Sequence, residues 1–115
     1  MNITVFGAGG WLGRAILMNL EERHEVRAYD HSAATWEAWN DIDGVWPGEQ
    51  RLGDIADFSS VDEAVKGADA VIHAAAYFGQ GDDNPLPWMI NLKGLWNVLE
   101  SARRRGIPRV VHIGS

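Results

Sequence analysis

Four glycines fall within seven residues near the start of the chain, Gly7-Ala8-Gly9-Gly10-Trp11-Leu12-Gly13, between an apolar run and an amphipathic one. A glycine in such a place lets the backbone turn sharply. A second lets a pyrophosphate approach the main chain with no side chain between, and a third lets the following helix pack close to the sheet. The first turn of that helix offers unpaired N–H groups and the positive end of its dipole. The spacing reads as Gly7, Gly10 and Gly13, or with Gly9 as the middle glycine. Either cradles a dinucleotide, with Trp11 and Leu12 completing the loop. A glycine pattern alone is weak; its place after a first strand and before a helix gives it weight. No Gly-Lys-Ser/Thr follows, which argues against a P-loop triphosphatase.

Asp30 ends the second apolar run, about 20 residues past the glycines, where a carboxylate accepts hydrogen bonds from adenosine ribose hydroxyls. Its charge would repel a 2′-phosphate, so Asp30 favours NAD over NADP, while Arg14, Arg27 and His31 leave room for the phosphorylated cofactor. An aspartate here also serves as a plain turn or helix cap. Asp54-Ile55 follows the third run. The carboxylate can accept from the adenine amino group with Ile55 against the ring, or it can be a solvent-facing cap. Its convergence with Asp30 and the glycines on one edge favours the first reading.

The histidines are His24, His31, His73 and His112. His73 and His112 fall near the ends of neighbouring strands and are expected to be partly buried with backbone partners. No carboxylate or cysteine joins them at ligand spacing, so no metal site is expected. The Arg103-Arg104-Arg105 run reads as a solvated helix end.

These residues need a scaffold, and 115 residues with 46% hydrophobic and 23% charged side chains suffice for one globular domain, residues 1–115. A formal net charge of -6 argues against a nucleic-acid surface. The absence of cysteine excludes a disulfide framework and a thiolate metal site. Met1-Asn2 runs straight into Ile3-Thr4-Val5-Phe6 with no targeting segment, and the longest apolar stretch, 68–79, is too short to span a bilayer. A cytoplasmic protein with no membrane partner is expected.

Short apolar runs alternate with amphipathic segments, the signature of βαβ units and a parallel sheet. Strands are expected at 3–6, 25–29, 51–54, 70–74 and 109–113. Helices are expected at 11–22 and 61–66, with a further one carrying Trp88, Leu92, Leu95, Trp96 and Leu99 at spacings of three and four. That periodicity predicts core or interface positions for Trp88 and Trp96. Gly106 and Pro108 end this helix. Residues 31–49 suggest a short helix around Trp36 and Trp39, broken by Gly44, Pro47 and Gly48. Nothing after Val110-Val111-His112-Ile113 covers the last strand, so the chain reads as truncated.

Taken in order, these motifs resemble the extended short-chain dehydrogenase/reductase family of the NAD-dependent epimerase/dehydratase type. The match continues through Gly53-Asp54-Ile55, Val71-Ile72-His73-Ala74-Ala75-Ala76, Asn91-Leu92-Lys93-Gly94-Leu95-Trp96-Asn97 and Arg109 to Ser115. The resemblance implies a Rossmann-type doubly wound α/β fold, five parallel strands in the order 3-2-1-4-5. It implies that Ala74, Ala75 and Ala76 lie along the cofactor and that Asn91 supports the active site through a local backbone distortion and proton relay. It also implies that Ser115 bonds the reacting oxygen, and that the tryptophan-bearing helix joins a homodimer bundle in the complete protein. Phe6 stands where many members have threonine. The family's catalytic Tyr-x-x-x-Lys is missing: four residues after Tyr29 and Tyr77 stand Ala33 and Gly81.

The expected function is the NAD-binding portion of an oxidoreductase, epimerase or dehydratase acting by hydride transfer on a nucleotide sugar or another small hydroxyl or carbonyl substrate. Without the dyad, this chain is expected to be inactive alone. A non-catalytic NAD-binding sensor or remnant is the alternative. A phosphoacceptor signalling module would need carboxylates where Gly7-Ala8-Gly9-Gly10 stands.

Overall fold

The computed structural model describes residues 1–38, 40–79 and 83–114, apart from the Asp43 side chain. Five strands form one parallel sheet: β1 (Asn2–Phe6), β2 (Glu25–Asp30), β3 (Glu49–Leu52), β4 (Ala70–His73) and β5 (Arg109–His112), in the order β3-β2-β1-β4-β5. The helices are α1 (Trp11–Leu20), α2 (Ala33–Glu37), α3 (Asn40–Asp43), α4 (Phe58–Ala64) and α5 (Leu95–Arg104). The order 3-2-1-4-5 is as expected, and it reverses direction between β1 and β4. In doubly wound sheets that reversal opens a crevice at the carboxyl ends of the strands.

Alternation along β1 divides the core. Ile3 and Val5 face one side with Leu17, Ala28, Trp36 and Trp46. Phe6 faces the other with Tyr29, Val61, Val65, Val71 and Val98. Thr4 shares that second face and stays buried because its hydroxyl donates to the Ala64 carbonyl at 2.9 Å. Phe6, fully buried, is accommodated as a strand-end core residue. The variable stretch supplies core too, since the Trp36 and Trp46 rings stack at 6.4 Å with planes 15° apart.

Several elements differ from the sequence reading. The third strand is Glu49–Leu52, and the helix after it begins at Phe58, where the Asp57 side chain accepts the Ser59 N–H at 3.1 Å. A side-chain cap outweighs the weak apolar spacing there. The helix expected around Trp88 is two segments: a π-helix over Pro87–Gly94 runs directly into α5. Trp88 and Trp96 are not core, being 62% and 55% exposed in a stripe with Leu92 and Leu99. Arg103 and Arg104 pair with Glu100 at 2.7 and 2.9 Å, and Arg105 reaches across to Asp62 on α4 at 2.8 Å. This helix end is therefore a junction as well as a solvated terminus. It closes with Gly106 at φ +66, the left-handed cap expected.

Candidate cofactor site

The glycines differ in what they do. Gly7 sits at φ +76, and a Cβ there would lie 2.6 Å from the Ala75 nitrogen, so the turn needs glycine and presses on the segment after β4. A Cβ on Gly13 would collide with the Gly7 carbonyl oxygen, which is the close helix–loop packing expected of the third glycine. Gly9 lies under Thr35, whose Cγ2 would be 2.6 Å from an added Cβ. Only Gly10 faces open space, with Gly7 O at 3.4 Å the sole near atom to such a Cβ. It caps α1 with no side-chain hydrogen bond, and the first turn of α1 holds no acidic residue. Among the described residues, then, no carboxylate of that turn competes for the helix N–H groups, and the surface above Gly10 suits a diphosphate. Trp11 and Leu12 stand beside it, exposed by 82% and 47%.

The loop is fastened to β2. Gly7 and Ala8 donate to the Tyr29 carbonyl at 3.0 and 3.2 Å, and Gly9 donates to Asp30 Oδ2 at 2.9 Å. Asp30 Oδ1 accepts the His31 N–H at 2.7 Å. Its carboxylate thus points at the glycine loop. On the next strand, Gly53 donates to the Asp30 carbonyl at 3.1 Å, which places Asp54 on the same edge. Asp54 is exposed, and its Oδ1 accepts the Ala56 N–H at 2.9 Å in an Asx turn, so its capping role is real. Ile55 is buried at 7% exposure beneath Gly94, and its carbonyl accepts from Asn97 Nδ2 at 2.8 Å. That side chain belongs to the core, with little left for an adenine ring.

The edge is acidic. Burial raises the Tyr29 phenol above its usual range, its 2.6 Å bond to Ser60 opposes this, and the Asp54, Asp57 and Asp30 charges push it further up. Arg14 donates to the Gly44 carbonyl at 2.9 Å, and Arg27 serves the Ala64 and Lys66 carbonyls at 2.6 and 3.0 Å. His31 touches Asp30, its Nδ1 lying 2.9 Å from Oδ1.

After β4 the chain runs through Ala74, Ala75 and Ala76, half-buried to exposed, with Ala74 donating to the Phe6 carbonyl at 2.9 Å. Asn91, in the π-helix, brackets one residue of this segment: Oδ1 accepts the Tyr77 N–H at 2.8 Å and Nδ2 donates to the Tyr77 carbonyl at 3.0 Å. A π-helix runs through Asn91, and its side-chain amide is engaged by backbone. Ser115 lies outside the described residues. His73 is buried and stacks on His112 at 5.4 Å, and its Nδ1 has no hydrogen-bond partner, contrary to the backbone partner expected. Burial, reinforced by His112, lowers its pKa to about 4. No three His, Asp or Glu side chains cluster for a metal among the described residues, nor is any helix there long and apolar enough to cross a membrane.

Thr35 over Gly9 and the Tyr77 peptide against Asn91 escaped sequence reasoning, because both contacts join residues that no local pattern relates. A cavity of about 500 Å³ opens at the opposite, amino-terminal edge of the sheet, near Thr4, His24, Arg27 and Lys66. Ligands of such sheets bind at the other edge, where the glycines and Asp30 meet.

The NAD dependent epimerase/dehydratase family model matches residues 3–115. A 2-alkyl-3-oxoalkanoate reductase from Stenotrophomonas maltophilia is 36% identical over 113 residues, covering 97% of this chain and 32% of that protein. Uronate dehydrogenase from Agrobacterium tumefaciens superposes with a TM-score of 0.80 at 30% identity, over 99% of this chain and 40% of its own, and a mutant of it has been solved with NAD. A short-chain dehydrogenase/reductase superfamily protein from the same organism, with bound NAD, gives a TM-score of 0.83 at 26% identity over 100% of this chain and 33% of its own. The chain spans about a third of the length of the curated relative named here.

Proposed function

Because this chain belongs to the NAD-dependent epimerase/dehydratase family, we propose that it binds NAD across the β1–β4 crevice as the cofactor-binding portion of a redox enzyme. The observation that carries this reading is the Asp30 carboxylate held on the Gly9 N–H at 2.9 Å, beside the uncapped start of α1. One end of that arrangement suits a diphosphate and the other a ribose diol. Asp30 and its acidic neighbours favour NAD over NADP.

When bound, the nicotinamide supplies a hydride acceptor or donor. The chain's own residues bind and orient. Gly7, Gly9, Gly10, Trp11, Leu12 and Gly13 form the cradle, Asp54 faces the adenine end, and Ala74 to Ala76 line the path from β4. Asn91 holds the Tyr77 peptide and thereby the shape of that path, and Ser115 hydrogen-bonds the reacting oxygen. Relatives named as a reductase and a dehydrogenase support hydride exchange with a hydroxyl or carbonyl carbon, on a nucleotide sugar or another small substrate. Proton transfer in the whole protein falls to a tyrosine outside residues 1–115, since neither Tyr29 nor Tyr77 has a lysine four residues on. The exposed Trp88, Leu92, Trp96 and Leu99 stripe suits a homodimer.

Calorimetric titration of the chain tests the reading: NAD binds, NADP binds more weakly, and Asp30→Ala narrows the gap. A folded sample giving no heat with either nucleotide overturns it. The alternative reading is a module that binds NAD without chemistry. Binding with no hydride transfer in the full-length protein would select it.

A further inference from the structure

The segment that leaves β4 is pressed onto the glycine loop. A Cβ on Gly7 would lie 2.6 Å from the Ala75 nitrogen and 2.7 Å from the Ala74 carbonyl carbon, so the two backbones touch. Asp30 stands on the β2 side of β1 and this segment on the β4 side. A dinucleotide with its ribose at Asp30 and its diphosphate over Gly10 therefore meets the segment with its nicotinamide half. Tyr77, half-buried, is where the segment is held. Asn91 grips its peptide at both the N–H and the carbonyl, at 2.8 and 3.0 Å. At the far end of the side chain, Asn84 Nδ2 donates to the phenol oxygen at 3.0 Å. Asn84 Oδ1 accepts the Leu86 N–H at 3.0 Å, an Asx turn just ahead of the π-helix. Gly79 lies against the phenol, where a side chain would collide with it. Phe78, by contrast, is 90% exposed and braces nothing.

Resting on the dinucleotide reading above, we propose that Tyr77, its phenol clasped by Asn84, is a positioning residue for the nicotinamide half of the cofactor. It acts through the Ala74–Ala76 backbone. Its peptide and its phenol are tied to one helical segment at two points, which leaves the residues before it a single placement beside Gly7. A segment ordered in advance loses little freedom when a ligand arrives, and that saving appears as affinity. With the phenol released, the segment is ordered only on binding. The nicotinamide half then loses affinity, while Asp30 and the glycine loop hold the ribose and the diphosphate as before.

Calorimetric titration of this chain with NAD and with ADP-ribose, which lacks the nicotinamide, separates the two halves. Wild type is expected to bind NAD the more tightly. Tyr77→Phe keeps the ring and removes the oxygen. It should weaken NAD by about three- to tenfold, the worth of one hydrogen bond, and leave ADP-ribose unchanged. Asn84→Ala should do the same, and the double variant no more than either alone, because both substitutions break one contact. Asn84→Asp keeps an acceptor for the Leu86 N–H and can accept the phenol's own hydrogen, so it should restore wild-type NAD affinity. A phenol with a merely structural role would change the melting temperature and move both ligands by one factor, or neither. Either result overturns the proposal while the dinucleotide reading stands, as does equal affinity of wild type for the two ligands. Failure of folded wild type to bind NAD or ADP-ribose overturns this proposal and the dinucleotide reading together.

Discussion

Gly10 caps α1 and Gly13 lies three residues on in its first turn, yet substitution at each has a different consequence. Gly10 has φ -74 and ψ 174, an extended conformation open to any residue, and only Gly7 O lies near its missing Cβ. Gly10→Ala should cost at most about 1 kcal/mol of stability, the cost of a poorer helix cap, while placing a methyl where the diphosphate approaches. A tenfold or greater loss of NAD affinity, roughly 1.4 kcal/mol, is expected with an almost unchanged melting curve. Gly13→Ala drives a methyl into the Gly7 carbonyl and the Ala8 backbone, neither of which yields as a flexible side chain would. About 3 kcal/mol of stability should be lost by overpacking, visible in urea denaturation without any ligand. Equal effects of the two substitutions on stability would remove the distinction. The loop and its tight turns were legible in the sequence because spacing and place in the chain announce them. Which glycine stays open was not, because Thr35, Ala75 and the start of α1 decide it through space. Ile55 shows the same limit: its neighbour Asp54 suggested a ring contact, and Gly94, nearly forty residues on, claims the side chain instead.

At the scale of elements, the parallel order 3-2-1-4-5 followed from alternating runs and the family resemblance, and the outer boundaries of the helix pair around Asn91 were also readable. Its interior was not. Spacings of three and four fit an α-helix, and nothing in Pro87–Gly94 marks a wider turn apart from what it contacts. A π-segment is an uncommon and locally costly choice, often found where function needs it. Here it carries Asn91 to the Tyr77 peptide and lays Gly94 on Ile55. Asn91→Ala would strip the Tyr77 N–H and carbonyl of both partners. A loss of about 1–3 kcal/mol is expected for two part-buried backbone groups, with faster hydrogen exchange at Tyr77 than at β4. Exchange at Tyr77 unaltered by the substitution would show that the bracket holds nothing. Periodicity likewise revealed the Trp88, Leu92, Trp96 stripe without saying what covers it. An apolar stripe on a helix reads the same whether the chain's own core or a second copy buries it. Trp96→Lys should shift sedimentation toward monomer if a copy does so; an unchanged mass distribution would count against the dimer.

For the whole molecule, acid acts in two separable windows. His73 sits between Phe6 and His112, buried, with its pKa lowered to about 4 first by burial and then by the neighbouring imidazole. The unfolded chain returns it to the ordinary histidine range near 6.5. Between those values the unfolded state binds the extra proton, so stability is fully present above about pH 6.5 and is lost as pH falls toward 4, by up to roughly 3 kcal/mol. Asp62 and Glu100 act lower down. Hydrogen bonds from Arg105 and Ser101 hold Asp62 at about 2, and those from Arg103 and Arg104 hold Glu100 at about 2. Their contribution is present above the ordinary carboxylate range and lost as pH falls from about 4 through 2. The first window loosens β4 against β5 at the sheet's far side; in the second, loss of the Asp62 charge loosens α4 from α5, and loss of the Glu100 charge weakens ion pairs within α5. Replacing His73 with leucine removes the titrating group while keeping an apolar filling. Urea midpoints for His73→Leu should therefore stay level between about pH 6.5 and 4, where those of wild type decline, and both should fall together below pH 4. A wild-type slope preserved in His73→Leu would place the acid sensitivity elsewhere and leave the buried imidazole without a role in it.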